Sequence, residues 1–172
     1  MRCTTIALLF LWNKDGRVLV HTAETTVLNP SKSIAYCCLA SLIALYIVGA
    51  VSNGSLRHEV QTLPLWMPII LGFRQHELAK WAALPCLVIW LVLMTFIWLF
   101  LLGWARIISG HFSPVEIAMT IVVGGASLFG IVTGLRWRTS MAPLMAWGTA
   151  ALFGILQLAA LRISFIPYIA GR

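Results

Sequence analysis

The strongest constraint on this chain is an uncharged run of 25 residues, 81–105. A helix needs about 20 apolar residues to cross roughly 30 Å of hydrocarbon, because each residue advances it by about 1.5 Å. Three other runs reach this length, at about 33–52, 115–135 and 141–161. The sequence therefore predicts an all-α integral membrane protein, a bundle of four transmembrane helices.

The composition excludes the common soluble alternatives. Of the 172 residues, 60% are hydrophobic and only 10% are charged, whereas a soluble domain has about 25% charged residues. A globule of this size has too much surface to cover with so few charged side chains. The apolar content also excludes a disordered chain, and four cysteines are too few for a disulfide scaffold.

An N-terminal segment precedes the predicted spans. Residues 1–32 are predicted to be extramembrane, because their apolar run 6–12 is too short to cross a bilayer. Within this segment, Asp15-Gly16 between two apolar stretches indicates a β-hairpin turn. Residues 33–172 form the predicted membrane domain.

The segment at about 60–73, between the first two spans, is apolar but contains Pro64 and Pro68. Only 14 residues separate the charges on either side of it, which is too few for a crossing. We therefore expect an interfacial or re-entrant element there, with its charged flanks in the headgroup region.

The distribution of basic residues indicates an orientation. Four spans place both termini on one side, which carries seven Lys and Arg residues against five on the other. Basic residues are enriched in cytoplasmic loops, so the termini are predicted to be cytoplasmic, in the plasma (inner) membrane. No run of five or six basic residues occurs, so attraction to anionic lipids explains the net charge of +7 better than nucleic acid does.

The ends of two spans carry recognisable signals. Ser113-Pro114-Val115-Glu116 predicts a helix start with a capping box, in which Ser113 and Glu116 each bond a backbone N–H. Trp81 and Trp104 bracket the second span and are about 35 Å apart at helical rise. We expect these two tryptophans to anchor it in the aromatic belts of the membrane.

Two His-Glu pairs, His58-Glu59 and His76-Glu77, form the most suggestive chemical pattern. Imidazole and carboxylate suit Zn²⁺ or iron, so the four side chains are a candidate metal site if the segment between them doubles back. The alternative is a charged interfacial collar, because the spacing is not that of a His-Glu-x-x-His helix. No histidine lies within a predicted span, as haem between facing helices would require, and no cofactor is predicted.

Small residues recur every four positions in the last two spans. The rows consist of Ala126, Gly130 and Gly134 in the third span, and Ala142, Ala146, Ala150 and Gly154 in the fourth. Such rows let two backbones approach closely. Because the connection at 136–140 is short, the third and fourth helices are predicted to form an antiparallel hairpin along these rows. A homodimer formed by one row is the alternative, and the bulky second span is expected to face lipid or a large partner.

The charged residues avoid the middle of every predicted span. Ionisable groups at that depth usually mark transport pathways. The leading hypothesis is therefore a non-enzymatic accessory or assembly subunit, bound to the bilayer and to a membrane protein partner or a second copy. The alternatives are a small oligomeric transporter or channel, with Gln157 facing a wet interior, and a metal protein or enzyme using the two His-Glu pairs.

Overall fold

The computed structural model of the chain describes residues 6–12, 18–24, 29–52, 55–104 and 112–166. Within these residues there are five helices: α1 (Pro30–Val51), α2 (Ser55–Phe73), α3 (Leu78–Leu101), α4 (Pro114–Arg136) and α5 (Pro143–Ser164). Of these, α1, α3, α4 and α5 are long and apolar enough to span a membrane. The predicted all-α membrane domain with four membrane-length helices is confirmed.

A two-stranded hairpin precedes the helices. β1 (Ile6–Trp12) pairs antiparallel with β2 (Val18–Glu24). The strands lie on either side of the predicted Asp15-Gly16 turn, which itself falls outside the described residues. The backbone of the two strands therefore agrees with the hairpin prediction.

Prolines and capping side chains determine where the helices begin. Pro30, Pro114 and Pro143 occupy first helical positions. An N–H at this position has no partner within the helix, so proline costs no hydrogen bond there. The Glu116 N–H donates to Ser113 Oγ at 3.3 Å, and the Ser113 N–H donates to the Glu116 carboxylate at 2.7 Å. The predicted capping box at the start of α4 is confirmed.

α2 runs antiparallel to α1 along its whole length. At one end, a Cβ added to Gly72 would stand 2.7 Å from Ala35 Cβ, and Ser31 Oγ donates to the Gly72 carbonyl at 3.1 Å. At the other end, a Cβ added to Gly49 would stand 3.2 Å from His58 Cβ. The segment predicted at 60–73 is therefore part of a longer helix that runs from one end of the bundle to the other.

α1 and α3 run in the same direction, and α4 packs against both. A Cβ added to Gly130 of α4 would stand 2.7 Å from Leu87 of α3 and 3.1 Å from Cys37 of α1. Gly134 lies one turn further along α4. It faces Leu84 of α3 and Ile34 of α1, which each lie about one turn before the residues that face Gly130. Because both contacts move the same way, α1 and α3 are parallel and level with each other.

The position of α5 completes the arrangement. Trp81 and Trp147, near the starts of α3 and α5, have ring centroids 6.0 Å apart, and Ser164 at the end of α5 contacts Gln61 near the start of α2. We call the end at which α1, α3 and α5 begin the Asn29 end. The opposite end, where α2 and α4 begin, is the Ser52 end.

α3 is the central helix, since it packs against α1, α2, α4 and α5. Its buried face consists of Ala79, Lys80, Ala82, Ala83, Cys86, Leu87, Trp90 and Met94. The expectation that this helix faces lipid or a large partner therefore applies to the rest of its surface, which includes the exposed Val88, Val92 and Phe96. Its bulky side chains fill the bundle interior as well as its surface.

The predicted hairpin of α4 and α5 is also wrong, because these two helices do not contact each other in the described part of the chain. The connection after α4 crosses the start of α3. Lys80 Nζ donates to the Trp137 carbonyl at 2.6 Å, and the Ser140 N–H donates to the Glu77 carboxylate at 3.0 Å. Two helices joined by a short connection pack together only when no third helix lies between them. Here α3 lies between α4 and α5.

Candidate functional site

Buried polar side chains join α2 to α5 near the Ser52 end. Gln61 Nε2 donates to Ser164 Oγ at 2.9 Å, and Gln157 Nε2 donates to the Gln61 carbonyl at 2.9 Å. Gln157 and Ser164 have no exposed surface, and Gln61 is 4% exposed. Hydrogen bonds of this kind hold membrane helices together where the outer surface is apolar. We call these three residues the Gln61 contact.

Pro64 explains why a donor from another helix is useful at this point. Proline lacks the N–H that would bond the carbonyl four residues earlier, and its ring crowds the preceding turn. Pro64 and Pro68 both lie on the buried face of α2. Such prolines are tolerated within membranes where neighbouring helices supply hydrogen bonds to the disturbed turn. Gln157 supplies one to the Gln61 carbonyl, next to the Val60 carbonyl that lacks the proline N–H.

A second group of polar atoms lies in the middle of the bundle. Ser41 Oγ, Ser127 Oγ and Trp90 Nε1 are buried and have no hydrogen-bond partner among the described residues, and the same is true of Gln157 Oε1. The first three lie about one turn from Cys37, Gly130 and Leu87, where Gly130 of α4 packs against both α1 and α3. All these groups are neutral at pH 7, so they suit hydrogen bonding to water.

Charged side chains gather in the first turn of α2. The Arg57 guanidinium carbon lies 4.5 Å from the centre of the Phe165 ring, a cation–π contact between α2 and the end of α5. The neighbouring His58 side chain packs against Gly49 of α1.

The predicted metal site is wrong, because α2 separates the two His-Glu pairs. His58 and Glu59 are its fourth and fifth residues, whereas His76 and Glu77 follow its last residue, Phe73. At 1.5 Å per residue, the 15 residues from His58 to Phe73 alone span about 22 Å. No group of three or more His, Cys, Asp or Glu side chains converges within the described residues.

The second pair instead forms structural contacts at the Asn29 end. Ser140 Oγ donates to the Glu77 carboxylate at 3.1 Å, and the Leu78 N–H donates to His76 Nδ1 at 3.2 Å. Trp81 Nε1 donates to Thr139 Oγ1 at 3.3 Å. These contacts fix the connection between α4 and α5 over the start of α3.

The two predicted anchor residues lie at opposite ends of α3. Trp81 is half-buried against Trp147 at the Asn29 end, and Trp104 is 80% exposed just beyond the other end. Their separation along the helix fits the two aromatic belts. Their role as membrane anchors stays a prediction.

The small-residue rows pack within the chain. Gly130 and Gly134 are buried against α1 and α3, and a Cβ added to Gly154 would stand 3.6 Å from Pro85 of α3. The remaining members are Ala126 and Ala150, which are half-buried, Ala146, which is buried, and Ala142, which is exposed. Close packing was predicted at these rows, but the partner helices are α1 and α3.

One side of α3 is left uncovered between α4 and α5. Leu84, Leu87 and Trp98 contact glycines of α4, and Pro85 contacts Gly154 of α5. Between these two flanks α3 exposes an apolar surface, which we call the open face, formed by Val88 (44% exposed), Val92 (46%), Thr95 and Phe96 (39%). The ring of helices around α3 is therefore incomplete in the described structure.

Sequence reasoning missed two parts of this arrangement. The sequence points to Gln157 only as a residue facing a wet interior in an oligomeric transporter, and its partner Gln61 falls in the segment predicted to be interfacial or re-entrant. The sequence contains a signal, because Gln61 and Thr62 lie three and two residues before Pro64 in an otherwise apolar stretch. The open face could not be predicted, since it depends on which helices surround α3.

Comparison with protein-family models, curated protein sequences and solved structures found no match. The chain's function therefore has to be inferred from its own geometry. Four apolar membrane-length helices fit a multi-pass membrane protein.

Proposed function

We propose that this chain is a non-enzymatic accessory or assembly subunit of a membrane complex. In this proposal a transmembrane helix of another protein packs on the open face of α3, between α4 and α5. The observation that carries the proposal is the incomplete ring of helices around α3. A central helix with four neighbours still has an apolar side that a fifth neighbour would cover.

The surroundings of the open face support this proposal. Helices associate in membranes through close packing, and α4 and α5 would flank an incoming helix on both sides. The one charged side chain buried in the described residues, Lys80, bonds the Trp137 carbonyl at the Asn29 end, and the neutral groups of the Gln61 contact are used between α2 and α5. This pattern favours assembly over chemistry.

The oligomeric transporter receives less support. That hypothesis requires Gln157 to face a wet interior formed between protomers. Gln157 instead has no exposed surface, and its amide bonds the backbone of α2 within the same chain. Its location favours a structural role.

The proposal is tested by purification in mild detergent with three matched forms of the chain. The unaltered chain should bring down a membrane protein at a fixed ratio. Val92→Trp, which enlarges a residue in the middle of the open face, should abolish that association. Leu63→Trp is the control, because Leu63 is 63% exposed on the outer face of α2 and away from the open face.

Folding of the variants is checked by their elution as single species with unchanged helical circular dichroism. If the unaltered chain purifies alone, or if Val92→Trp keeps the partner, the proposal is wrong. If the only partner is a second copy of this chain, the accessory role is replaced by a homo-oligomer that uses the same face.

A further inference from the structure

The directions of α1 and α3 determine what the chain between them must do. α1 finishes at the Ser52 end and α3 begins at the Asn29 end, and the two helices are parallel and level. If both cross the bilayer, they cross it in the same direction. The chain must then return through the bilayer between them, and α2 is the segment that covers this distance.

We propose that α2 is a fifth membrane crossing and that the Asn29 end of the bundle faces the cytoplasm. The 19 residues of α2 extend for about 28 Å at helical rise. This length matches roughly 30 Å of hydrocarbon. The segments before α1 and after α5 then lie on opposite sides of the membrane.

The exposed surface of α2 supports the crossing. After Glu59, every exposed side chain of this helix is apolar, and the set consists of Leu63, Trp66, Met67, Ile70 and Phe73. A helix lying at an interface or in water turns a polar face outward. α2 does the reverse, because its polar residues Gln61 and Thr62 are buried against its neighbours. This inside-out pattern is expected in hydrocarbon.

The same pattern explains why mean hydropathy along the sequence does not identify α2 as a span. The charged residues Arg57 and Glu59 lie within its first five residues, which we place in the headgroup region, where long side chains reach water. Gln61 and Thr62 lower the average although they never face lipid: Gln61 bonds Ser164, and Thr62 Oγ1 bonds the Glu59 carbonyl at 3.0 Å.

The distribution of basic residues gives independent support and sets the orientation. Five of the seven described Lys and Arg residues adjoin the Asn29 end: Lys32, Arg74, Lys80, Arg136 and Arg138. Only Arg57 and Arg162 adjoin the Ser52 end.

Each of the 12 Lys and Arg residues can be assigned, from its position in the sequence, to one side of the membrane. Five crossings place eight of them on the side of the Asn29 end and four on the side of the Ser52 end. Four crossings give seven against five. The fifth crossing therefore strengthens the bias that places basic segments in the cytoplasm.

Sidedness of labelling tests the proposal on the full chain in intact bacterial cells. Ser55→Cys and Arg74→Cys, both exposed and at opposite ends of α2, are each introduced into a Cys3→Ser background. A membrane-impermeant maleimide should label residue 55 in intact cells. It should label residue 74 only after the membrane is permeabilised.

Two controls accompany these variants. Arg138→Cys lies at the same end as residue 74 and should also require permeabilisation. The background with Cys3→Ser alone should stay unlabelled until denatured, because Cys37, Cys38 and Cys86 are buried. If a substitution makes these cysteines reactive, labelling no longer identifies the introduced cysteine. Reporter proteins fused to the two ends of the chain then show on which side of the membrane each end lies. Five crossings predict reporters on opposite sides.

Each outcome decides one part of the proposal. Labelling of residues 55 and 74 from the same side would overturn the fifth crossing, and so would reporters on the same side. Labelling of residue 74 alone in intact cells would uphold the crossing and overturn the cytoplasmic position of the Asn29 end.

Discussion

At the scale of single residues, small and polar side chains determine which helices meet. The rows at Gly130 and Gly134 could be identified from sequence, because small residues four apart lie on one helix face. The helices that pack on these rows could not be identified from sequence, since a stripe of small residues can pack against any helix placed next to it. The structure brings α1 and α3 to this stripe, where Gly130 is close to both Cys37 and Leu87.

Replacement of Gly130 tests this packing. Gly130→Leu would place its Cβ 2.7 Å from Leu87 Cδ1, so we expect a loss of about 1–3 kcal/mol from overpacking. Gly125→Leu is the matched control, because a Cβ there meets nothing within 4 Å. Thermal unfolding in detergent should show a clear drop for Gly130→Leu alone. Equal melting temperatures for both variants would refute the packing described for α4.

The Gln61 contact makes a second prediction at the residue scale. Gln157→Leu removes the donor to the Gln61 carbonyl, and we expect it to cost about 1 kcal/mol. Gln157→Glu should cost more at neutral pH, because this position is fully buried and an acidic side chain there must either bury a charge or take up a proton. Thr95→Val is the control, since this exposed hydroxyl bonds only its own helix at the Leu91 carbonyl. Unfolding by denaturant ranks the variants, and three equal stabilities would count against the contact.

At the scale of helices, the sequence identified what depends on local patterns. Long uncharged runs identify α1, α3, α4 and α5, and the Ser113–Glu116 spacing identifies the start of α4. The sequence predicts an interfacial element within α2 because only 14 residues separate its flanking charges, whereas only tertiary packing turns Gln61 and Thr62 inward. The α4–α5 hairpin failed because the path of the connection depends on Lys80 and Glu77 of a third element.

Glu77 provides the test at this scale. Its carboxylate accepts hydrogen bonds from both the amide and the hydroxyl of Ser140. Glu77→Ala should therefore speed hydrogen exchange at Ser140 and its neighbours while leaving α1 and α2 protected. Glu59→Ala removes an exposed carboxylate at the other end of α2 and serves as the control. Unchanged exchange at Ser140 would mean that Glu77 does not hold this connection.

At the scale of the whole molecule, α3 organises the bundle. It has α1 and α2 on one side and α4 and α5 on its flanks, and its remaining side forms the open face. The same arrangement makes α1 and α3 parallel, which leaves α2 to return the chain through the depth of the bundle. The proposed partner site and the proposed fifth crossing thus follow from one feature of the fold, the central position of α3.

The depth of α2 in the bilayer tests this account most directly. Spin labels are placed at Met67 of α2 and at Ile43 of α1, which are 53% and 49% exposed and lie within about one turn of the middle of their helices. In lipid vesicles, both labels should be highly accessible to oxygen and inaccessible to a polar nickel reagent, as expected near the bilayer centre. A label at residue 67 that is accessible to the nickel reagent, while the label at residue 43 is not, would contradict the account.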